Sequence, residues 1–550
     1  VLDSNSNVYH VNLLEKMLVT LLAKLSNLVV EGGIWLNTQR PEWNDANNAL
    51  VGQGLSMVTL YYLRRYLRFM QGLLADLSDS VSLSTEVSLW MDQTAESLAK
   101  LRPLLGRERI SADQRYQTLV ELGESASRYR QTVYQAAGFS GQVEQSADSI
   151  HGLLEDSLAA VDHSIRFNLN DDGLYHAYNL MKLQSSEVTV DHLYTMLEGQ
   201  VAALSAGAVE PGHAVTMLEK LFASDLYRDD QQSFILYPDR KLPGFLQKNR
   251  IDEAELLKIP LAVHMLEVDD SIIMARDVDG NYRFNAELSS GAVLDKRLDS
   301  LQERYGVDEV EGSRDALRKL YETVFNHQAF TGRSGGMFGF EGLGSIYWHM
   351  VSKLLLVVQE NYFSALDLQA DESVIRDLGT LYYRVRQGIG FNKTPLEFGA
   401  FPTDPYSHTP AHTGARQPGM TGQVKEEVIS RFGELGIRIN NGVVSFQPRL
   451  LRKREFLDEP LPFRYLDLAG SWREIDVPSG ALAFTWCQVP IVYQIKKGSQ
   501  AGLSIFRDGG DEMCAAELSL NYEDAQHIFS RDGHIQKIMV TLDEAELFHE

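Results

Sequence analysis

A tryptophan, an amide and a carboxylic acid follow one another at Trp43, Asn44 and Asp45, in a glycine- and asparagine-rich stretch before an apolar segment. An aromatic ring suits the face of a pyranose, an amide suits its hydroxyl groups, and an acid can protonate a glycosidic oxygen. Such an acid works best when partial burial beside an aromatic ring raises its pKa, and Trp43 could supply that ring. The alternative is that Asn44 or Asp45 only caps a turn before a helix. Asp45 is therefore a candidate general acid, with Glu42, Trp43 and Asn44 as candidate sugar contacts.

A second candidate stretch, FTGRSGGMFGFEGLGSIYWHM at residues 330–350, combines paired glycines with a positive charge. Paired glycines let backbone N–H groups approach an anion closely. Arg333 and Ser334 would add a guanidinium and a hydroxyl beside Gly335. A helix that begins near Ser345 would add its positive end. The alternative is a flexible connection between two helices.

Polar and small residues gather in a third stretch, which precedes a predicted helix. They are His408, His412, Thr413, Arg416, Thr421 and Gly422. Two histidines four residues apart can bind a metal when they share a helix, but Pro410 lies between these two and forbids that geometry. Hydroxyls, backbone amides and an arginine before a helix N-terminus suit a phosphate better. A turn with satisfied polar groups is the alternative.

Composition limits the partners that the chain could have. Its 550 residues include 51 lysines and arginines against 75 aspartates and glutamates, a formal net charge of −24. Contacts with nucleic acid or an anionic membrane would act against that field, so we expect neither, and an anionic small substrate would need local donors. Cys487 and Cys514 cannot build a disulfide framework, which favours a reducing, cytoplasmic setting. No apolar run reaches the roughly 18 to 20 residues of a membrane-spanning helix.

Periodicity predicts mostly helices, followed by strands. Apolar residues at helical spacing predict helices over residues 11–30 and 55–77, and helical patterns continue to about residue 165. Between 166 and 330 the pattern is mixed, and the Asp-Gly pair of RDVDGNYRFN predicts a hairpin. Further segments with helical character are 173–183, 190–209, 313–328, 344–366 and 373–389. After about residue 437 the Asn-Gly turn of IRINNGVVSFQPRLL, and the segments GALAFTWCQVPIVYQI and LSIFRDGG, predict strands.

This order of elements predicts a mainly α fold. Helices joined by long polar loops are typical of an (α/α)6-type helical barrel, in which paired helices form two rings and the loops at one end line a pocket. We place that catalytic domain at residues 1–437 and a smaller β-rich domain at residues 438–550. The first residues enter a helical pattern at once, so we expect the chain to be the C-terminal part of a larger protein.

The three stretches, in this order, resemble the inverting disaccharide and β-glucan phosphorylases, which are the cellobiose phosphorylase type and its β-1,3-glucan (laminarin-type) relatives. In that family a Trp-Asn-Asp loop carries the catalytic acid. EWNDANNALVGQGLSM matches this loop, with Asp45 as the acid and Trp43 as the ring facing the sugar. A Gly-Gly-aromatic segment and a His-Thr…Thr-Gly segment bind phosphate in the family, and SGGMFGFEG and AHTGARQPGMTGQVKEEV match them. The resemblance makes His412, Thr421 and Gly422 candidate phosphate contacts.

The chain departs from this family in three respects. The histidine that follows the family's glycine pair falls near Phe340 here, so Arg333, His349 or His412 would take its role. Segment 80–330 is longer than in cellobiose phosphorylase, which favours the β-1,3-glucan branch. The family's N-terminal β-sandwich and first barrel helices have no counterpart here, so we expect a homodimer or an association with that missing part.

The resemblance implies phosphorolysis with inversion. Asp45 would protonate the glycosidic oxygen while inorganic phosphate attacks the anomeric carbon from the opposite face, releasing α-glucose 1-phosphate. An inverting hydrolase needs a second carboxylate to activate water, whereas phosphate is already an anionic nucleophile and needs only to be positioned. Phosphate is then a co-substrate, and neither a metal nor an organic cofactor is implied.

Two other functions stay open at this point. An inverting glycoside hydrolase on the same barrel would use Glu341 as its base, and a non-catalytic carbohydrate-binding or scaffold protein would need no acid. Three polar residues that could reach an acceptor sugar, or form only a solvated loop, are Asp229, Asp230 and Arg240.

Overall fold

The computed structural model of the protein describes residues 7–37, 50–106, 109–135, 138–236, 238, 243–326, 346–389, 408–409, 423–496, 498 and 500–549. Sixteen α-helices lie in these ranges: α1 Leu13–Leu25, α2 Met57–Leu73, α3 Thr85–Leu101, α4 Ala112–Gln135, α5 Ala147–Arg166, α6 Leu197–Ser205, α7 Pro211–Ala223, α8 Phe245–Lys248, α9 Glu253–Leu256, α10 Pro260–Glu267, α11 Gly291–Tyr305, α12 Val307–Phe325, α13 Trp348–Asp367, α14 Glu372–Gln387, α15 Gln423–Glu434 and α16 Tyr522–Ser530.

The strands in the same ranges are β1 Leu28–Val29, β2 Gly33–Trp35, β3 Gly54–Ser56, β4 Val81–Ser84, β5 Gln142–Gln145, β6 Tyr178–Gln184, β7 Glu187–His192, β8 Tyr227–Arg228, β9 Ser233–Phe234, β10 Met274–Arg276, β11 Tyr282–Phe284, β12 Ile346–Tyr347, β13 His408–Thr409, β14 Ile437–Asn440, β15 Val443–Phe446, β16 Leu461–Leu466, β17 Trp472–Val477, β18 Ala481–Trp486, β19 Val489–Ile495, β20 Gly502–Arg507, β21 Glu512–Ala515 and β22 Ile535–Leu542. Helices and a C-terminal strand-rich region were both predicted from the sequence. Among the helices described, none is long and apolar enough to cross a membrane.

Helices α2 and α6 run in the same direction. Tyr178 pairs in the sheet with the residue that precedes α2, and its hydroxyl donates to Glu198 Oε2 in the first turn of α6 at 2.9 Å. Two turns further along, Arg65 of α2 donates to Ser205 Oγ at the end of α6 at 2.6 Å. The two helices therefore begin side by side and continue in parallel.

Helix α13 has the same direction as α6. The first backbone N–H of α6 donates to Leu236 O at 3.1 Å, and the neighbouring Ile235 pairs with Ile346, two residues before α13. Toward the other end of both helices, Asn361 Nδ2 donates to Leu204 O. The beginnings of the two helices thus lie together, as do their later turns.

Helix α15 is a fourth helix that runs in the direction of α2, α6 and α13. His349 in the first turn of α13 contacts Glu426 in the first turn of α15, and Gln359 Nε2 donates to Ser430 O further along both helices. Helices α2, α6, α13 and α15 therefore begin at one end of the bundle, which we call the common end. The intervening helix α14 returns antiparallel against α13 after the short turn that follows Asp367.

The largest hydrophobic core lies between these helices. Fully buried side chains such as Tyr61 of α2, Leu354 of α13 and Tyr382 of α14 belong to it. Each buried leucine or phenylalanine stabilises the fold by about 1.5–3 kcal/mol relative to an exposed one. Packing of this kind, more than local propensity, holds the helices in their common direction.

A five-stranded sheet, in the order β1-β2-β3-β6-β7, covers the beginning of α2. The connection between β2 and β3 contains the tryptophan stretch of the sequence. Its base is closed by two backbone hydrogen bonds, from Leu36 N to Gly54 O at 2.9 Å and from Gly52 N to Leu36 O at 2.7 Å. The Trp35 ring adds a third, from Nε1 to Gly52 O.

The predicted helix over residues 173–183 is wrong, because β6 occupies most of that segment. Leu174, Tyr178 and Met181 are buried at three- and four-residue spacing, which produced the helical pattern. Antiparallel pairing with both β3 and β7 outweighs this local signal. The helix over 190–209 is correct only in its later part, since the first residues belong to β7 and α6 follows.

Residues 243–326 form a unit with its own hydrophobic core, built from helices α9 to α12 and the β10–β11 hairpin. That hairpin confirms the prediction from the Asp-Gly pair. The chain leaves the helical bundle after Ile235 and returns at Ile346, and these two residues pair with each other. The unit is therefore an insertion whose two connections to the bundle begin next to each other, at the common end.

The C-terminal region contains a five-stranded sheet in the order β18-β19-β22-β20-β21 and the predicted β14–β15 hairpin. Asn441 and Gly442 of that hairpin both have positive φ, as a type I′ turn requires. The region packs on α14 through Phe548, whose ring lies 5.4 Å from the ring of Tyr383. The same tyrosine donates its hydroxyl to Leu450 O.

Gly379 in α14 provides a test of this contact. A Cβ atom there would lie 2.2 Å from Phe548 Cε2. We expect Gly379→Ala to lower the free energy of unfolding by about 1–3 kcal/mol, because the ring would have to shift within a packed core. Urea unfolding followed by circular dichroism measures the change.

The matched control is Gly152→Ala, inside α5, where a new Cβ atom would meet nothing within 4 Å. We expect that variant to be slightly more stable than the parent, by up to about 1 kcal/mol. Equal effects of the two substitutions would show that Phe548 does not pack on α14.

Candidate functional site

Most residues proposed from the sequence for the site lie outside the described residues. They are Glu42, Trp43, Asn44, Asp45, Arg333, Ser334, Gly335, His412, Thr421 and Gly422, together with Arg240 and Glu341. His349, Asp229 and Asp230 are described. The structure therefore describes the site through the helices and strands that flank the three stretches.

Each of the three stretches leads into a helix that begins at the common end. The tryptophan stretch returns through β3 into α2, the glycine-rich stretch returns through β12 into α13, and the histidine-threonine stretch precedes α15. The last two stretches are also joined directly, because Ile346 pairs with Thr409 and Tyr347 with His408. Helix N-termini carry unpaired N–H groups and partial positive charge, so this end of the bundle suits an anion.

His349 lies where the glycine-rich stretch enters α13. Its Nε2 is 3.2 Å from Glu426 Oε1, and the two side chains are 16% and 5% exposed. An ionised carboxylate only accepts hydrogen bonds, so Nε2 carries the proton of this contact. The pair joins the first turns of the two helices that follow the proposed phosphate stretches.

Glu198 is a second buried carboxylate at the common end. It lies in the first turn of α6, is 2% exposed and accepts the Tyr178 hydroxyl at 2.9 Å. The sequence interpretation selected neither Glu198 nor Glu426. The available signal was an acidic residue in the first turn of a helix, which is common on solvated helices as well.

A buried polar cluster supports the sheet below the tryptophan stretch. Glu31, 5% exposed, has a left-handed backbone (φ 65°), accepts from Ile110 N at 2.9 Å and lies 3.2 Å from His163 Nε2. It also forms an ion pair with buried Arg115. Burial raises the pKa of Glu31, but the hydrogen bonds from His163, Ile110 and Arg115, with the Arg115 charge, outweigh it and hold the pKa below its ordinary value.

Two stacked histidines lie beside the same sheet, His176 just before β6 and His192 at the end of β7. The rings of His176 and His192 are parallel within 5°, with centroids 4.3 Å apart. Burial, and then the charge of His192, lower the pKa of His176 to about 4, although its hydrogen bond to Leu193 O opposes the shift. His176 is therefore neutral at pH 7 and is no proton donor for a reaction at that pH.

Asp229 and Asp230 lie in the turn between β8 and β9, beside the strand residues that lead to the insertion. Asp230 forms an ion pair with Arg228, whose side chain is 10% exposed. Among the described residues, no group of three or more His, Cys, Asp or Glu side chains is placed to hold a metal ion.

Comparison with known proteins gives one finding. Residues 242–328 match the family model of the GH149 phosphorylase insertion domain 2. The match supports a glycoside phosphorylase of the GH149 type. The match covers the separate unit whose core side chains run from Phe245 to Phe325. No curated protein matches the chain.

The buried Glu31 cluster generates a prediction about pH. Because the folded-state pKa of Glu31 lies below its ordinary value of 4.5, the carboxylate stabilises the fold above that value. This stabilisation is lost as the pH falls through the folded-state pKa. We expect Glu31→Gln to lower the free energy of unfolding at pH 7 by about 3 kcal/mol, since Arg115 is left buried without its anion.

Urea unfolding between pH 3 and 7 measures both effects. The difference in stability between the parent and Glu31→Gln should shrink below about pH 4.5. The control is Glu96→Gln, where the carboxylate is exposed and pairs only with Lys100 in the next turn, and we expect a change below about 1 kcal/mol at every pH. A difference for Glu31→Gln that is independent of pH would contradict the assignment of charge to this carboxyl.

Proposed function

We propose that this chain is a phosphorylase that cleaves a β-glucoside or β-1,3-glucan chain with inorganic phosphate and inverts the anomeric carbon. The carrying observation is the match of residues 242–328 to the GH149 phosphorylase insertion domain, in a unit whose connections begin at the common end. In the reaction the bond from the anomeric carbon to the glycosidic oxygen breaks. A phosphate oxygen bonds to that carbon, the leaving oxygen takes a proton, and α-glucose 1-phosphate is released.

The proposed architecture is an (α/α)6-type barrel. Its support is the set of four parallel helices that share the common end, with α14 returning antiparallel beside α13. In such a barrel the inner helices run in one direction, and the connections before them line the pocket. The three candidate stretches are connections of this kind.

On the sugar side, we assign the proton donor to Asp45. Trp43 would face the pyranose ring, and Asn44 and Glu42 would bind its hydroxyl groups. Hydrogen bonds between Leu36, Gly52 and Gly54 fix where this connection leaves the sheet and where it rejoins it.

On the phosphate side, we assign the contacts to residues of the other two stretches and to the first turn of α13. They are Arg333, Ser334, Gly335, His349, His412, Thr421 and Gly422. The net charge of −24 cannot attract phosphate, so local donors must hold it. The pairing of β12 with β13 supports this grouping, because it brings the ends of both stretches together. Phosphate is a co-substrate here, and the reaction needs no organic cofactor.

The role of Asp45 is tested by Asp45→Asn. We expect the rate of phosphorolysis to fall about a hundredfold or more, because the leaving oxygen loses its general acid. Release of α-glucose 1-phosphate from glucan oligosaccharides measures the rate. Asp172→Asn, at an exposed aspartate in the turn before β6, is the control and should keep the parent rate. An unchanged rate in Asp45→Asn would exclude this residue as the acid.

The nucleophile is tested by omitting phosphate. We expect sugar release from laminari-oligosaccharides to require inorganic phosphate and to yield the 1-phosphate with inverted configuration, as seen by ³¹P and ¹H NMR. Free glucose formed at the same rate without phosphate would instead support an inverting hydrolase, in which a carboxylate activates water.

A further inference from the structure

The first turns of α13 and α15 are joined by a buried contact between an acid and an imidazole. His349 Nε2 lies 3.2 Å from Glu426 Oε1, across 77 residues of sequence. Glu426 is 5% exposed, so its charge needs a partner, and His349 is one. The contact determines which ring nitrogen of His349 carries a proton toward the acid, and it restricts the rotation of the ring.

The position of this contact relates it to the phosphate side of the proposed site. His349 comes two residues after Tyr347, which pairs with His408 at the start of the third stretch. Glu426 is the fourth residue of α15, directly after that stretch. The pair therefore connects the bases of both stretches that are proposed to hold the anion.

We propose that Glu426 is a positioning residue for phosphate. It orients His349 and holds the beginnings of α13 and α15 side by side, so that this imidazole and the two helix N-termini act on one anion. This inference rests on the proposed phosphorolysis and adds to it a residue that the sequence interpretation did not select.

Electrostatics explains why the acid is paired at this place. A lone carboxylate near the common end would repel phosphate, in a chain that already carries a net charge of −24. The hydrogen bond between His349 Nε2 and this carboxylate disperses part of its negative charge. The positive ends of two helices and the local donors then act on the anion against a weaker repulsion.

A purely structural role is the competing explanation, and α15 offers a matched control for it. Glu434, at the other end of the same helix, is 1% exposed and accepts from the Tyr382 hydroxyl at 2.7 Å. It also pairs with Arg386 and Arg431. Glu434→Gln therefore removes a buried, paired charge from α15 far from the common end.

The experiment compares Glu426→Gln with Glu434→Gln in phosphorolysis of laminari-oligosaccharides at varied phosphate concentration. We expect Glu426→Gln to raise the KM for phosphate about tenfold while the KM for the oligosaccharide stays within about twofold. Glu434→Gln should lower the melting temperature without changing either KM. Glu426→Asp, which keeps the charge, should recover part of the phosphate KM and serves as the second variant if Glu426→Gln does not fold.

The outcomes of this experiment distinguish the role of Glu426 from the proposed phosphorolysis itself. An equal KM for phosphate in the parent, Glu426→Gln and Glu426→Asp would overturn the role of Glu426 and leave phosphorolysis intact. Equal rises in both KM values, matched by Glu434→Gln, would assign Glu426 to structure alone. Sugar release by the unmodified protein without phosphate would overturn the proposed function itself.

Discussion

The parallel packing of α2, α6, α13 and α15 is the constraint on which the rest of the structure depends. Helices that run in one direction bring their positive ends together, which is unfavourable for neighbouring dipoles unless negative charge lies there. Glu198 and Glu426 occupy first turns at this end, buried and hydrogen-bonded. The same arrangement gathers the connections that precede the helices, so chemistry-bearing residues from distant parts of the chain can meet.

The insertion illustrates how this end tolerates added structure. Residues 243–326 have their own core, and the pairing of Ile235 with Ile346 keeps the flanking strands of the bundle in register. A folded unit with neighbouring connections costs the bundle little, because the loop closure is already made by the unit itself. Its agreement with the matched family domain supports the phosphorylase interpretation.

Three buried carboxylates of the helical region each lie beside at least one basic side chain. Glu31 is surrounded by Arg115, His163 and a backbone N–H, Glu434 by Tyr382 and two arginines, and Glu426 by His349. Each carboxylate gives up hydrogen bonds to water when it is buried and forms hydrogen bonds to these partners instead. The partners must therefore lie at specific positions.

Local signals in the sequence were sufficient to predict the hairpin turns and most of the helices. The Asp-Gly and Asn-Gly hairpins formed as predicted, since these residues accept the backbone angles that a tight turn demands, and the long amphipathic patterns became helices. The order of the three stretches likewise indicates a phosphorylase. Asp45 and the other residues of those stretches stay predictions.

What only the tertiary structure decided depends on residues far apart in the chain. Residues 173–183 carry a helical spacing, but most of them lie in strand β6, because pairing with β3 and β7 outweighs the local pattern. The partnership of Glu426 with His349 and the meeting of four helix beginnings have no local signature either. Sequence determines these features only through the packing of the whole core, which is a sum over long-range contacts and cannot be read from neighbouring residues.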